Sequence, residues 1–180
     1  MAKLFKDFDV SKFMNKKPYS DNSFDTMREI KELVKIPAND KFVKEKDDIF
    51  KSFKKTAAAK NVDFPAKLVN NLITQSAPVL IKIKKKYNRP RPKVLAKKLN
   101  IKLKDIEMSS METSSYPSGH SAQGVLIGNV LADMFPGVAN SFKKTGKDIS
   151  KSRNIAKAHY KSDSTFGEEI GIQMYKHLKK

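Results

Sequence analysis

The chain has 180 residues, contains no cysteine, and carries 37 Lys and Arg against 19 Asp and Glu, a formal net charge of +18. That length can bury the core of one domain, and the lack of cysteine excludes disulfides and thiolate metal sites. The most apolar stretch, residues 124–135, is shorter than the roughly 20 residues of a membrane helix, and the amino terminus lacks the apolar block of a signal peptide. We therefore expect a single domain over residues 1–180 in a soluble, cytoplasmic protein with no transmembrane segment.

The positive charge is concentrated between residues 82 and 104, where 11 basic residues occur without an acidic one. Such an excess attracts anions, whether a small phosphorylated molecule, an anionic lipid surface or a nucleic acid. A hydrated lysine-rich surface is the plainer interpretation of most of these residues. Tyr87 is the one aromatic residue in the run, so the pattern does not indicate a stacking platform for single-stranded nucleic acid.

Hydrophobic residues recur at helical spacing along most of the chain. This spacing predicts helices over residues 21–36, 40–60, 65–87, 122–135, 138–158 and 164–178. Pro78 predicts a kink in the third helix and Gly146 a weak point in the fifth, whereas residues 93–113 have no clear pattern. The fourth helix is almost wholly apolar and follows a PSGH sequence, which favours a central position. The predicted fold class is all-α: a single-domain helical bundle with a central apolar helix.

Three polar segments at the ends of the predicted helices carry candidate chemistry, and the first is SSYPSGHS, residues 114–121. Backbone N–H groups at a helix N-terminus are unpaired and bind anions well. Gly119 lets the backbone approach an oxygen closely, Ser118 offers a hydroxyl donor, and His120 would lie beside the bound anion. An ordinary helix cap is the alternative.

The second segment is KKKYNRPRPK, residues 84–93. Its prolines hold the backbone extended and separate Arg89 from Arg91. The planar guanidinium of arginine matches phosphate oxygens two at a time. The segment alone is equally typical of a nucleic-acid contact or of cations that offset the dipole at a helix end.

The third segment is SRNIAKAHYKSD, residues 152–163, in which Arg153 offers another guanidinium. His159 and Asp163 are four residues apart, so the carboxylate can accept the imidazole N–H. Such a pair fixes the tautomer and leaves the second nitrogen free to attack. Asp163 could instead cap the last helix, and the two roles are compatible.

Together and in this order, the segments resemble the signature of the type 2 phosphatidic acid phosphatase superfamily. That superfamily includes bacterial class A acid phosphatases, lipid phosphatases and vanadium haloperoxidases. The match spans residues 84–163 and leaves residues 1–80 as additional outer helices. The matched positions are Lys84, Arg91, Pro92, Pro117, Ser118, Gly119, His120, Ser152, Arg153, His159 and Asp163.

A second register is open in the first segment, because Lys82 with Arg89 and Pro90 also fits. We prefer Lys84 and Arg91, since Tyr87 and Arg89 then fall where acid phosphatases often place an aromatic residue and an extra arginine. The sequence SYPSGH also resembles the corresponding motif of acid phosphatases more than that of lipid phosphatases, although Ser121 replaces the usual threonine of acid phosphatases.

The resemblance implies a metal-independent phosphatase that hydrolyses phosphomonoesters through a phosphohistidine, with lipid and diphosphate substrates also open. It assigns His159 as nucleophile, His120 as acid and base, and Asp163 as the group that orients His159. It implies no cofactor, and phosphate or vanadate as the occupant of the pocket. The implied phosphate-binding residues are Lys84, Arg91, Ser118, Gly119 and Arg153, with Arg89 and Lys82 as auxiliary candidates.

Two other functions compete with this hypothesis. One is a vanadium-dependent haloperoxidase, and the other is a polyanion-binding or nucleic-acid-binding protein that uses its basic surface. The sequence leaves open the identity of the substrate and whether the chain forms a homo-oligomer. We expect specificity to lie in residues 93–115.

Overall fold

The structure is a computed structural model that describes residues 3–180. Across that range the chain forms α-helices and short 3₁₀ turns without a β-strand, which confirms the all-α prediction. The helices are α1 (Phe24–Lys35), α2 (Asp40–Asp47), α3 (Ile49–Ala59), α4 (Ala66–Tyr87), α5 (Pro92–Lys98), α6 (Gly119–Met134), α7 (Ala139–Ile155) and α8 (Lys161–His177).

The structure corrects the predicted helix over residues 40–60, which is two helices. Asp48 leaves the helical conformation at φ −88° and ψ 101°. Its side chain accepts a hydrogen bond from the backbone N–H of Lys51 at 2.9 Å and so caps α3. The chain can therefore turn between α2 and α3.

Two further boundaries differ from the prediction. Pro92 starts the short helix α5 in the region without a pattern, because the fixed φ of proline suits a first helical position. Helix α8 begins at Lys161 rather than at residue 164, because Asp163 accepts the backbone N–H of Tyr160 at 3.1 Å. Helix α4 continues through Pro78 to Tyr87.

Helix α6 is the centre of the bundle and contacts α3, α4, α7 and α8. Its small residues allow the backbones to approach closely. A Cβ added at Gly146 would lie 2.3 Å from the carbonyl oxygen of Gly124, and one added at Gly171 would lie 2.3 Å from that of Ala122. Gly146 is therefore a close contact between α6 and α7 and not the predicted weak point.

The two amino-terminal helices cover the segments that carry the motif. Ile30 and Leu33 of α1 form a buried cluster with Leu95 of α5 and with Tyr160. Val43 of α2 packs in a second cluster with Ile155 at the end of α7. Within residues 3–180, no helix has the length and apolar character needed to cross a membrane.

Gly146→Ala is expected to lower the free energy of unfolding by about 1–3 kcal/mol, the usual cost of overpacking a core. The new methyl group would overlap the backbone of α6, which cannot move away as a flexible side chain could. Denaturant unfolding measures the change. Gly137→Ala is the control, because a Cβ there meets no atom within 4 Å. Equal stability of the two variants would contradict the packing described here.

Candidate active site

The three motif segments converge where α4 and α7 end and where α6 and α8 begin. Lys84 lies in the last turn of α4, Arg153 lies in the last turn of α7, and Gly119 opens α6. His159 lies in the turn before α8, and Asp163 lies in the first turn of that helix. The backbone N–H of Ser118 donates to the carbonyl of Asp163 at 3.0 Å, which joins the starts of α6 and α8.

Asp163 is fully buried and faces His159 across 3.4 Å, from Oδ2 to Nδ1. The same carboxylate accepts from Arg89 Nη1 at 2.6 Å, from the hydroxyl of Ser115, and from the backbone of Tyr160. Burial alone would raise its pKa, but the contact with His159 and the charge of Arg89 hold that pKa below its ordinary value. Asp163 thus caps α8 and also orients the histidine.

The other nitrogen of His159, Nε2, lies 2.9 Å from Nη1 of Arg91. A guanidinium can only donate, so Nε2 accepts and holds a lone pair, while Nδ1 carries the proton towards Asp163. Burial lowers the pKa of His159 to about 3. The contact with Asp163 opposes this shift, and the charges of Arg91 and Lys84 add to it. The imidazole is therefore neutral at neutral pH, with its lone pair on the nitrogen that faces the cations.

Three cations of the motif segments are buried here: Lys84, Arg91 and Arg153. Burial, followed by the charge of Arg91, lowers the pKa of Lys84 to about 7. Burial also lowers the pKa of Arg91 to about 10, and Arg153 adds to the effect. Nη2 of Arg91 and Nε of Arg153 are buried without a hydrogen-bond partner among residues 3–180. Crowded cations with free donors favour an anion between them.

The N-terminus of α6 adds neutral donors to the site. Gly119 is the first residue of the helix, so its backbone N–H has no partner within the helix. Ser118 is fully buried, and its hydroxyl accepts from the backbone N–H of Ser121 at 3.3 Å. Its primary contact is thus a helix cap, and its own hydroxyl hydrogen is the donor available to an anion.

His120 follows at the edge of the site, with 20% of its side chain exposed. Its Nε2 lies 2.9 Å from the backbone carbonyl of Asp47, so that nitrogen carries the hydrogen. Burial and the charge of Arg153 lower the pKa of His120 to about 4, against the opposing effect of Asp47. A bound anion would raise that pKa by offsetting the cations.

Asp47, at the end of α2, is a site residue that the sequence did not indicate. Its carboxylate accepts from Arg153 Nη1 at 2.8 Å and from the hydroxyl of Ser110 at 3.1 Å, and lies 3.6 Å from His120. Burial opposes its ionisation, but the contact with Arg153 holds its pKa below the ordinary value. Asp47 is therefore the present partner of the Arg153 guanidinium, which the resemblance assigns to phosphate binding.

The structure distinguishes the two auxiliary candidates from the phosphate-binding set. Lys82 is exposed on α4, whereas Lys84 is buried at the site, which favours the register of Lys84 and Arg91. Arg89 is buried behind Asp163 and also donates to Glu29 at 3.1 Å. Arg89 thus positions the carboxylate instead of facing the anion, and Glu29 is a second residue that the sequence did not indicate.

The basic run of residues 82–104 divides in the structure. Three of its basic residues are buried at or behind the site: Lys84, Arg89 and Arg91. Its other lysines are exposed. In the part of the chain that is described, no three His, Asp or Glu side chains group as a metal site would require.

Three curated bacterial proteins, each named non-specific acid phosphatase, are similar to this chain. The protein from Salmonella typhimurium is 33% identical over 112 residues, which cover 62% of this chain and 44% of that protein. The resemblance to acid phosphatases is confirmed. The proteins from Salmonella typhi and Providencia stuartii are 35% and 33% identical over 53% and 54% of the chain. The matches span less than half the length of these acid phosphatases, and no family model matches.

Asp47→Asn is expected to tighten the binding of inorganic phosphate about three- to tenfold at pH 7. The amide oxygen can still accept from Arg153, while the negative charge that competes with phosphate is removed. Isothermal titration calorimetry measures the dissociation constant, with the exposed Asp40→Asn of the same helix as control. Weaker binding in Asp47→Asn would show that the carboxylate chiefly orients Arg153.

Proposed function

We propose that the chain is a metal-independent phosphatase that hydrolyses phosphomonoesters through a phosphohistidine on His159. One observation carries the proposal. The neutral imidazole of His159 has Nδ1 3.4 Å from the buried carboxylate of Asp163 and its lone pair towards Arg91, beside other buried cations. This is the arrangement of an activated nucleophile beside an anion site. The names of the three relatives support phosphate esters as substrates.

The first step follows from these contacts. A phosphoryl oxygen replaces Nε2 of His159 as the acceptor of Arg91, which frees the lone pair for attack. The bond from Nε2 to phosphorus forms and the bond from phosphorus to the ester oxygen breaks. His120, protonated once the bound phosphate has raised its pKa, gives a proton to the leaving oxygen and becomes neutral. The imidazole of His159 then carries a positive charge, which the carboxylate of Asp163 stabilises.

The second step returns the site to its starting state. His120 takes a proton from water, the water oxygen bonds to phosphorus, and the bond from Nε2 breaks to release phosphate. In both steps Lys84, Arg91 and Arg153 stabilise the equatorial oxygens, together with the donors of Ser118 and Gly119. Fixed charges of this kind supply most of the catalysis in phosphoryl transfer.

The alternative functions remain predictions. A haloperoxidase would hold vanadate in the same group of cations, with His159 as its ligand. Polyanion or lipid-surface binding would use the exposed lysines of residues 82–104. We favour phosphate-ester hydrolysis because the relatives are named acid phosphatases.

His159→Ala is expected to lower kcat for p-nitrophenyl phosphate at least about a thousandfold, because it removes the group that bonds to phosphorus. Steady-state assays with and without a chelator measure the effect, and circular dichroism checks the fold. Lys82→Ala is the matched control, since Lys82 is an exposed member of the same basic run. Turnover by His159→Ala within tenfold of wild type would refute the nucleophile assignment.

The pKa of Lys84, about 7, predicts the alkaline side of the pH profile. The ammonium is present below that pKa and attracts the phosphate, and it is lost as the pH rises through it. The value of kcat/KM for p-nitrophenyl phosphate should therefore fall above about pH 7, since this parameter reports the free enzyme.

Lys84→Arg tests this assignment, because a guanidinium stays charged across the same range. The variant should retain measurable activity, and its decline should begin at a higher pH. An identical alkaline decline in wild type and variant would assign the titration to another group.

A further inference from the structure

A cavity of about 550 Å³ opens beside the phosphate-binding cations. Arg91 belongs both to its wall and to the site. Met108, another wall residue, contacts Nη2 of Arg153 through its sulfur at 2.8 Å. A phosphate held by these two arginines would therefore have its ester group at the entrance of this cavity. The remaining wall residues that matter here are Val94, Asp105, Glu107, Met111 and Glu112.

The wall of the cavity is acidic, although the chain as a whole is strongly basic. Beyond Arg91 it holds the carboxylates of Asp105, Glu107 and Glu112 against the single ammonium of Lys93. Three negative charges and one positive charge leave a formal charge of −2. A second anion on the substrate would therefore be repelled at this position, and a cation would be attracted.

One carboxylate oxygen of the wall residue Asp105 has no hydrogen-bond partner in the described part of the chain. Lys93 pairs with Oδ1 of Asp105 at 3.1 Å and with Glu107 at 2.7 Å. Oδ2 of Asp105 is buried and has no hydrogen-bond partner in the described part of the chain, residues 3–180. The side chain of Asp105 is only 7% exposed. A buried carboxylate oxygen without a donor is costly, and a ligand ammonium would satisfy it.

The rest of the wall is apolar and adaptable. Val94 contributes a branched aliphatic group, and Met108 and Met111 contribute flexible thioethers. Thioether side chains fill irregular space around short alkyl groups without a fixed geometry. The cavity therefore combines a hydrocarbon surface with a carboxylate rim.

We propose that this cavity binds the leaving group and selects phosphomonoesters of amino alcohols, in which a short alkyl chain separates the phosphate from a cationic nitrogen. This inference rests on the proposed function. The phosphate would lie on Arg91 and Arg153, the alkyl chain against the methionines, and the ammonium at Asp105 with Glu107 and Glu112 around it. Substrates with a second phosphate or a carboxylate at that position are disfavoured.

The test compares two phosphomonoesters with two-carbon leaving groups of opposite charge. O-Phosphoethanolamine carries an ammonium and 2-phosphoglycolate carries a carboxylate, and p-nitrophenyl phosphate serves as the reference. Wild type should show a kcat/KM at least about tenfold higher for O-phosphoethanolamine than for 2-phosphoglycolate, since the substrate charge that faces the carboxylates changes sign.

The double variant Glu107→Gln, Glu112→Gln should reduce that ratio about three- to tenfold, because two of the three carboxylates in the wall lose their charge. Both residues are exposed, so the fold should tolerate the change. Glu32→Gln, an exposed glutamate of α1 outside this cavity, is the matched control.

The outcomes separate the two proposals. Hydrolysis of p-nitrophenyl phosphate with equal kcat/KM for the charged pair, or an unchanged ratio in the double variant, overturns the leaving-group inference alone. No hydrolysis of p-nitrophenyl phosphate by wild type overturns the proposed function, and this inference with it.

Discussion

The carboxylate of Asp163 is the contact on which the geometry of the site depends. It is fully buried, and it meets Arg89, Ser115, the backbone of Tyr160 and the ring of His159. These partners come from all three motif segments. Removing one partner of a buried charge pair costs about 3–5 kcal/mol, because the other charge is left without compensation. The same carboxylate therefore holds the bundle together at this end and fixes the tautomer of His159.

The site is stable without an anion only because acidic residues offset part of its charge. Lys84, Arg91 and Arg153 are all buried, and burial lowers the pKa of each. Asp163 compensates from behind His159, and Asp47 compensates from the open side. In the proposed reaction an incoming phosphate would displace the contact of Asp47 with Arg153 but not the contact of Asp163 with His159. The chain therefore holds one permanent and one exchangeable negative charge at its cation cluster, and the exchangeable one sets the cost of binding an anion.

Local sequence patterns were sufficient for most of the helices and for the order of the motif. Helix periodicity located α1, α4 and α6–α8, and the motif residues Lys84, Arg91, Arg153 and His159 do converge. The patterns missed the break at Asp48, since an aspartate can be a cap or an exposed helical residue. They also missed Asp47 and Glu29, which lie 106 and 133 positions from their partners Arg153 and Ser162. Nothing in a linear pattern specifies such distant contacts, which only the packing of α1 and α2 against the bundle creates.

The net charge of the chain and the charge of the proposed cavity have opposite signs, so the first attracts anions and the second discriminates among them. A net charge of +18 attracts every anion, and most strongly those with the highest charge. Screening limits this field to about 8 Å at physiological salt, so discrimination must come from groups in contact with the ligand. Those groups are the buried cations of the proposed phosphate site and the carboxylates of the proposed leaving-group cavity. The basic surface favours multiply charged anions, whereas the acidic wall disfavours them. A second negative charge on a substrate would lie against this wall.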